Sequence, residues 1–408
     1  MATASSTHAL TEGSAVGPEL GRRQVHAVAA CYFVASFAAL GLPPYLTEIL
    51  PELGDASARW AGLLYVVPTV FGALGAPLWG RAADRFGRKR LLLRAQLGLA
   101  VSFLLAGWAD SLGGFVTALV LQGILGGTFA ASNGYLAAAL TGSGLSKALT
   151  LMQGAARAAL VVAPIAVGSL TPWISPHRQY ALLAVLPLAA AVMLAALPEP
   201  APVPPAAAVA TEPDAAARLA PLRALYAFEF AFVFSTVISF PYLIALVEDR
   251  IPGVSPVASG ALFALPHLCY LLFALRVHRI VEHRPLPGIA AGFGLVALGL
   301  AGHGVADSLA AFTGVRLLLG AGLTFGLVSL SVLAAECARG RPPGGMFGSL
   351  ELVSKGGAVA AGLAAAAGNG LLGPPAPLLT GTAIALLALA AATLPALFRR
   401  STRIRWSR

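Results

Sequence analysis

The chain has 408 residues, of which 58% are hydrophobic and only 11% are charged. Soluble domains carry about a quarter of their residues as charged side chains, so the composition excludes a soluble globular protein. The net charge of +10 would suit nucleic acid, but most basic residues stand in short runs between apolar segments, as in membrane proteins. We therefore expect a protein embedded in the lipid bilayer, with no nucleic-acid partner.

Twelve apolar windows have about the 20 residues that a bilayer crossing requires. In chain order they are spans 1 to 12: 25–47, 59–79, 91–109, 113–140, 147–170, 179–197, 223–246, 257–277, 286–306, 309–335, 346–370 and 377–398. They predict an all-α membrane protein of twelve transmembrane helices in two six-helix bundles. The predicted segments are an N-terminal tail 1–24, a first bundle 25–197, a Pro- and Ala-rich linker 198–222, a second bundle 223–398 and a basic tail 399–408.

The two bundles repeat at an offset of 197 or 198 residues. Pro44-Tyr45-Leu46 recurs as Pro241-Tyr242-Leu243, and Gly62 with Pro68 recurs as Gly260 with Pro266. Ala109-Asp110-Ser111-Leu112 recurs as Ala306-Asp307-Ser308-Leu309. Such matches in order indicate an internal duplication, and duplicated transporters bind their substrate near the interface of the repeats.

The basic residues predict the orientation. Of the 27 Lys and Arg residues, 21 fall in the tails, the linker and the loops on one side, and only Arg59, Arg178 and Arg250 fall in loops on the other. The positive-inside rule places both termini in the cytoplasm. We expect a multi-pass protein of the bacterial inner membrane.

The loop between spans 2 and 3 reads Gly80-Arg81-Ala82-Ala83-Asp84-Arg85-Phe86-Gly87-Arg88-Lys89-Arg90. This resembles the signature loop of the major facilitator superfamily, G-x-x-x-D-R-x-G-R-[RK], and implies that family's fold. The two glycines, Gly80 and Gly87, permit a tight turn. The resemblance implies a gating role for Asp84, Arg85 and Arg88, which latch the two halves in one state. The alternative is a loop that only sets topology.

Span 5 resembles the exporter motif of the same family, g-x(8)-G-P-x-x-G-G, through Gly154, Pro164 and Gly168. Ala163 and Val167 replace two of its glycines, and helix packing is the alternative reading. The family's Arg in span 4 is missing, because Leu119 stands there; its second-half counterpart is Arg316, followed by Leu319-Gly320. The resemblance is to the drug/proton antiporter branch and, in overall similarity, to bacterial exporters of siderophores.

We single out five ionisable residues within predicted spans, where a charge is costly and marks a functional candidate. At the repeat offset, Gln153 and Arg157 of span 5 correspond to Glu351 and Lys355 of span 11, and each pair shares one helix face. We predict substrate-binding roles for Arg157, Lys355, Gln153, Arg316 and Asn133. Glu351, followed by Glu229, is the predicted proton carrier. Packing is the alternative for each, and His267 and His303 are interpreted as satisfied helix residues.

The first bundle contributes a cation and no Asp or Glu within its spans. We therefore expect export of a small anionic or zwitterionic solute, such as a carboxylate siderophore, which Arg can bind in bidentate geometry. Without a nucleotide-binding motif, protons are the expected coupling ion. We expect a monomer without cofactor or metal and no enzymatic activity. The alternatives are a multidrug efflux pump, a facilitator-type importer of an organic anion, and a membrane sensor or enzyme.

Reporter fusions test the predicted topology. Fusions in the 198–222 linker and in the 399–408 tail should both report a cytoplasmic location, and a fusion near Asp55 a periplasmic one, because the basic residues fix the orientation. A periplasmic linker would contradict the twelve-span assignment.

Overall fold

The computed structural model describes residues 21–128, 131–132, 135–136, 140, 142–197, 215–338, 343–373 and 375–393, and these contain helices and no strand. The first-half helices are α1 Arg22–Gly41, α2 Leu46–Glu52, α3 Ala61–Phe86, α4 Arg88–Trp108, α5 Leu112–Leu125, α6 Gly142–Leu170, α7 Pro176–Leu183 and α8 Val185–Ala195. Those of the second half are α9 Ala215–Val237, α10 Leu243–Arg250, α11 Pro256–Val281, α12 Pro285–His303, α13 Leu309–Ala338, α14 Pro343–Leu372 and α15 Pro375–Thr393. The predicted all-α fold is confirmed.

The helices have the lengths that a bilayer demands. Ten described segments are long and apolar enough to cross a membrane, and two shorter apolar helices, Ala61–Gly75 and Leu112–Leu125, stand where spans 2 and 4 were predicted. Their outer surface exposes leucine and valine side chains, as contact with lipid favours. Leu275 is 79% exposed and Leu371 is 83% exposed. The protein is therefore a multi-pass membrane protein.

The repeated sequence segments take the same local structure in both halves. Spans 1 and 7 are each broken by a 3-10 turn, Pro43–Tyr45 and Phe240–Tyr242, because proline lacks the N–H that would continue the helix. Ser111 and Ser308 each accept a hydrogen bond at 3.3 Å from the backbone N–H three residues on. This is the N-cap arrangement that starts a helix, so the repeat preserves breaks and caps.

Two helix pairs make the most extensive contacts between the described parts of the halves. Helix α6 packs on α11, and α3 packs on α14. A Cβ added to Gly62 would lie 2.6 Å from the Gly362 carbonyl oxygen and 2.8 Å from the Ala366 nitrogen. At the repeat-related position, a Cβ on Gly260 would collide with the carbonyl of Pro164. The backbones approach this closely only because the side chains are missing, as in many membrane helix pairs.

These contacts define the closed end of the molecule, the end where α1 finishes and α3 begins. The Tyr242 hydroxyl accepts from the Gly62 N–H at 3.2 Å and donates to the Arg59 carbonyl at 3.3 Å, tying span 7 to the start of α3. One buried apolar cluster includes Leu46 and Val167 of the first half together with Ile238 and Ala361 of the second. Both halves therefore share one core at this end.

At the opposite end the described residues form separate cores. One cluster draws only on the first half, with Val28, Leu92 and Leu194 among its members. The other draws only on the second half, through Val277, Val281 and Val328. The described parts of the halves are therefore joined at the closed end and packed independently at the other, which is the end that carries the start of α1.

The signature-loop glycine Gly87 has φ +96° between α3 and α4. Only glycine takes this left-handed conformation at no steric cost, so the loop's tight turn requires it. The Lys89 ammonium donates to the Ala195 carbonyl at 2.9 Å and to the Leu197 carbonyl, at the end of α8. This loop residue thus binds carbonyls at a helix C-terminus, where a cation is favoured.

Enlarging Gly62 tests the closed end. Gly62→Leu should separate the halves there, because its Cβ alone already meets the backbone of α14. Spin labels on cysteines introduced at the exposed positions Ala56 and Pro252 should show a longer distance than in the unsubstituted protein. Gly314→Leu is the matched control, since nothing lies within 4 Å of a Cβ there. An unchanged distance in Gly62→Leu would contradict the assignment of Gly62 as a contact that holds the halves together at this end.

Candidate functional site

A cavity of about 210 Å³ lies between the halves, next to the closed end. Its walls are mainly apolar and aromatic, with Tyr65 from the first half and Phe232, Phe240 and Phe263 from the second. The Tyr65 and Phe240 rings meet edge-to-face across the interface, with centroids 6.3 Å apart. Four polar side chains also line it: Arg157, Thr236, His267 and Ser354. The cavity can hold an apolar body with a few polar groups.

Arg157 extends from the middle of α6 toward the second half. Its Nη1 lies 3.5 Å from Nδ1 of His267, and its Cζ lies 5.5 Å from the centroid of the Tyr270 ring. The half-buried guanidinium also interacts electrostatically with Glu229. The first half supplies the cation and the second half its carboxylate, so the sequence-based expectation of an Arg157 without an acidic partner holds only within its own half.

Glu229 lies on α9 and is not among the residues that line the cavity, but two of its partners, Arg157 and Ser354, are. The Ser354 hydroxyl donates a hydrogen bond to its carboxylate, and Arg157 and Glu351 are the charged groups that interact with it. The carboxylate is mostly shielded from solvent. A carboxylate in the membrane interior that accepts one hydrogen bond and interacts with a cation and a second carboxylate changes its affinity for a proton when these neighbours move.

Glu351 and Lys355 form an ion pair on one face of α14, with Oε1 and Nζ 3.2 Å apart. Their side chains are 62% and 38% exposed. Exposed pairs of this i,i+4 type contribute only about 0.3–0.5 kcal/mol. Gln153, the repeat-related residue of Glu351, is also exposed. These residues are not among those that line the cavity.

Arg316 is fully buried within the second half. Its Nε and Nη2 donate to the carbonyls of Leu262 and Phe263, both at 2.8 Å, and it is not among the residues lining the cavity. Asn133 lies outside the described residues. The substrate-binding roles of both residues stay predictions.

Comparison with known proteins identifies the family. The sequence profile described as the Major Facilitator Superfamily matches residues 28–250, more than half of the chain. The chain belongs to the major facilitator superfamily. The match contains the signature loop and the exporter-motif helix of this family.

Curated relatives match over a shorter part. The Multidrug resistance protein MdtG of Citrobacter koseri is 34% identical over 168 residues, which is 40% of each chain. The protein of the same name from Yersinia enterocolitica is 34% identical over 157 residues, 37% of this chain and 36% of the relative. The chain thus spans about two fifths of the length of the curated relatives it matches.

Solved structures share the complete fold. A POT family transporter in complex with 5-aminolevulinic acid has a TM-score of 0.75 at 12% identity, covering 93% of this chain and 99% of that one. The human organic anion transporter MFSD10 has a TM-score of 0.68 at 20% identity, with 91% and 99% covered. A D-xylose-proton symporter has a TM-score of 0.69 at 14% identity, with 90% and 96% covered. At these identities the likeness shows the major facilitator fold alone.

The residues that resemble the family's exporter motif lie in two environments. Nothing lies within 4 Å of a Cβ added at Gly154, whereas Gly168 faces the Pro256 carbonyl and the Pro164 carbonyl accepts from the Tyr45 hydroxyl at 2.6 Å. The later part of the motif therefore belongs to the closed end. In the signature loop, Gly80, Asp84 and Arg85 fall within α3, Arg85 lies 5.3 Å from the Phe86 ring, and Arg88 starts α4. The Asp84 side chain lies outside the described part, so the latch stays a prediction.

Sequence reasoning did not select His267, Ser354 or Tyr32, the last of which interacts electrostatically with Arg157 and Glu351. His267 was interpreted as a satisfied helix residue, but it lines the cavity beside Arg157. The sequence contains one signal for His267: it directly follows Pro266, the proline of span 8, and it lies four residues after Phe263, on the same helix face. The sequence gives no such signal for Tyr32 and Ser354, because only the packing of the helices places them in the site.

Removing Arg157 tests the centre of this site. Arg157→Ala should lower transport by at least about tenfold, equivalent to ~1.4 kcal/mol, because Glu229 then loses the cation that interacts with it in the described structure. Arg157→Lys should keep partial activity, since it retains the charge without the planar fork. Arg178→Ala is the control, because that side chain is 52% exposed in a surface pair with Asp110. Protein amounts in the membrane are scored alongside, and normal transport by Arg157→Ala would remove the residue from the site.

Proposed function

We propose that this protein exports small apolar or amphipathic molecules, neutral or cationic, in exchange for protons. The observation that carries the proposal is Glu229, whose hydrogen-bond donor Ser354 and electrostatic partner Arg157 both line an apolar, aromatic cavity between the halves. The wall offers shape and apolar area, which suits many substrates, and the carboxylate offers a place for the proton. The relatives named as multidrug resistance proteins support the same reading.

The sign of proton coupling follows from the charges in the site. A proton on Glu229 and a positive group in the cavity oppose each other, so binding one releases the other, and linkage makes this effect reciprocal. Such competition is what exchange of substrate for protons needs. A neutral molecule can produce the same competition by separating Glu229 from Ser354 or Arg157.

A carboxylate solute, expected from the sequence, would give the opposite sign. Its negative group on Arg157 would compete with the Glu229 carboxylate and favour protonation of Glu229. Anion and proton would then bind together, which is co-transport. Arg157, with Lys355 nearby on α14, therefore favours a second candidate function: proton-coupled uptake of an organic anion. Export of a carboxylate siderophore would need a proton site other than Glu229.

We also propose the orientation and location. The basic-residue asymmetry supports cytoplasmic termini, and the relatives come from bacteria with an inner membrane. In that orientation the closed end is periplasmic, and the structure corresponds to a state open toward the cytoplasm. An exporter loads its substrate in such a state. The helices needed for one transport path belong to one chain, which supports function as a monomer.

Inverted membrane vesicles distinguish the two candidates. With an acidic lumen, added ethidium, a lipophilic cation, should enter and raise the lumenal pH, as followed with a pH-sensitive dye. Citrate in the lumen should leave together with protons only if the protein is an anion symporter. Proton movement with citrate and none with ethidium would replace the exporter by the second candidate.

Glu229 and Glu351 form a matched pair for the coupling test. Glu229→Gln should abolish ethidium transport driven by the pH gradient, because the amide cannot exchange a proton. Glu351→Gln should keep most of it, since Glu351 is 62% exposed and paired with Lys355. Ethidium binding to the purified Glu229→Gln protein should persist, which separates coupling from binding. If Glu351→Gln is the uncoupled variant, the proton role returns to Glu351.

A further inference from the structure

The wall of the cavity formed by α11 contains a broken hydrogen bond. In an α-helix each N–H binds the carbonyl four residues earlier, so Pro266, which has no N–H, leaves the Leu262 carbonyl without its helix partner. Pro266 lies inside α11, between the cavity residues Phe263 and His267. The proline thus weakens the turn that positions two side chains of the site.

Arg316 of α13 reaches this turn. Its Nε donates to the Leu262 carbonyl and its Nη2 to the neighbouring Phe263 carbonyl, both at 2.8 Å, while its Cζ lies 5.8 Å from the Phe263 ring. The side chain is 0% exposed. A buried guanidinium is costly in a membrane. Here the hydrogen bonds to the two backbone carbonyls offset part of that cost.

Gly320 completes the contact one helical turn later. A Cβ there would lie 2.9 Å from the Pro266 Cα and 2.7 Å from the Cys269 Sγ. Residues four apart share a helix face, so α13 rests on the proline through Gly320 and holds the preceding turn through Arg316.

The first half has the same glycine-to-proline contact but lacks the arginine. Its repeat-related glycine, Gly123, meets the Pro68 carbonyl in the same way, but Leu119 stands at the position of Arg316. The residue after the proline also differs, being Thr69 in the first half and His267 in the second. Arginine and histidine thus occur together, in the half whose kinked helix contacts Arg157.

We propose that Arg316 is a positioning residue that replaces the helix hydrogen bond removed by Pro266 and so fixes Phe263 and His267 in the cavity wall. It acts through α11 and does not bind the substrate. Its functional part rests on the proposed transport function, while its structural part stands independently.

A double-mutant cycle in the full-length purified protein tests this. Arg316→Met should lower the Tm and raise the KM for ethidium transport several-fold. Adding Pro266→Ala should recover at least half of the Tm loss and of the KM change, because the introduced alanine supplies the missing N–H to the Leu262 carbonyl. Pro68→Ala combined with Arg316→Met is the matched control and should recover neither, since Arg316 does not contact that helix.

The outcomes separate the two parts of the proposal. If Pro266→Ala recovers no more Tm than Pro68→Ala, the replacement of the hydrogen bond is wrong, whatever the protein transports. If Tm recovers but the KM of Arg316→Met equals that of the unsubstituted protein, the residue stabilises the helix without positioning the site, and the proposal fails in its functional part. If the unsubstituted protein moves no ethidium, the proposed function fails and the Tm cycle still decides the bond. Should Arg316→Met fail to insert, recovery of insertion by Pro266→Ala is the readout.

Discussion

Backbone-to-backbone contact at the closed end is the constraint on which the rest of the structure depends. Gly62 against Gly362 and Gly260 against Pro164 bring two helix pairs close enough that a single methyl group would not fit. In lipid there is little hydrophobic drive between helices, so close van der Waals packing of small residues takes its place. The same contacts set the width of the cavity beneath them.

The polar centre of the site follows from this geometry. Arg157 and Glu229 belong to different halves, and they interact electrostatically because α6 packs on α11 and the closed end holds the halves together. A charge in the membrane is tolerated when it is paired or wet. The pairing therefore depends on the conformation, and a change in the angle between the halves would alter the free energy of a proton on Glu229. For the proposed exchange of substrate for protons, that dependence links protonation to the motion of the halves.

The fold is nearly symmetric, while its chemistry is not. Breaks, caps and close-contact glycines repeat in both halves because they form the scaffold. The ionisable residues differ: Gln153 corresponds to Glu351, Leu119 to Arg316 and Thr69 to His267. One wall of the cavity is therefore built around a buried cation and a histidine, and the other is not.

The sequence alone determined the membrane class, the helical architecture and the family. Apolar length, proline and glycine positions and the signature loop are local features, and each acts within one helix or one turn. It also selected Arg157, Glu229 and Glu351, because a charge inside an apolar span is conspicuous wherever the helix packs. Only the tertiary structure decided which of them meet. Glu229 interacts electrostatically with Arg157, and Arg316 donates hydrogen bonds to carbonyls of α11. The spacing of residues along the chain does not predict either interaction, because the distance between residues on different helices depends on how the helices are rotated and how they cross.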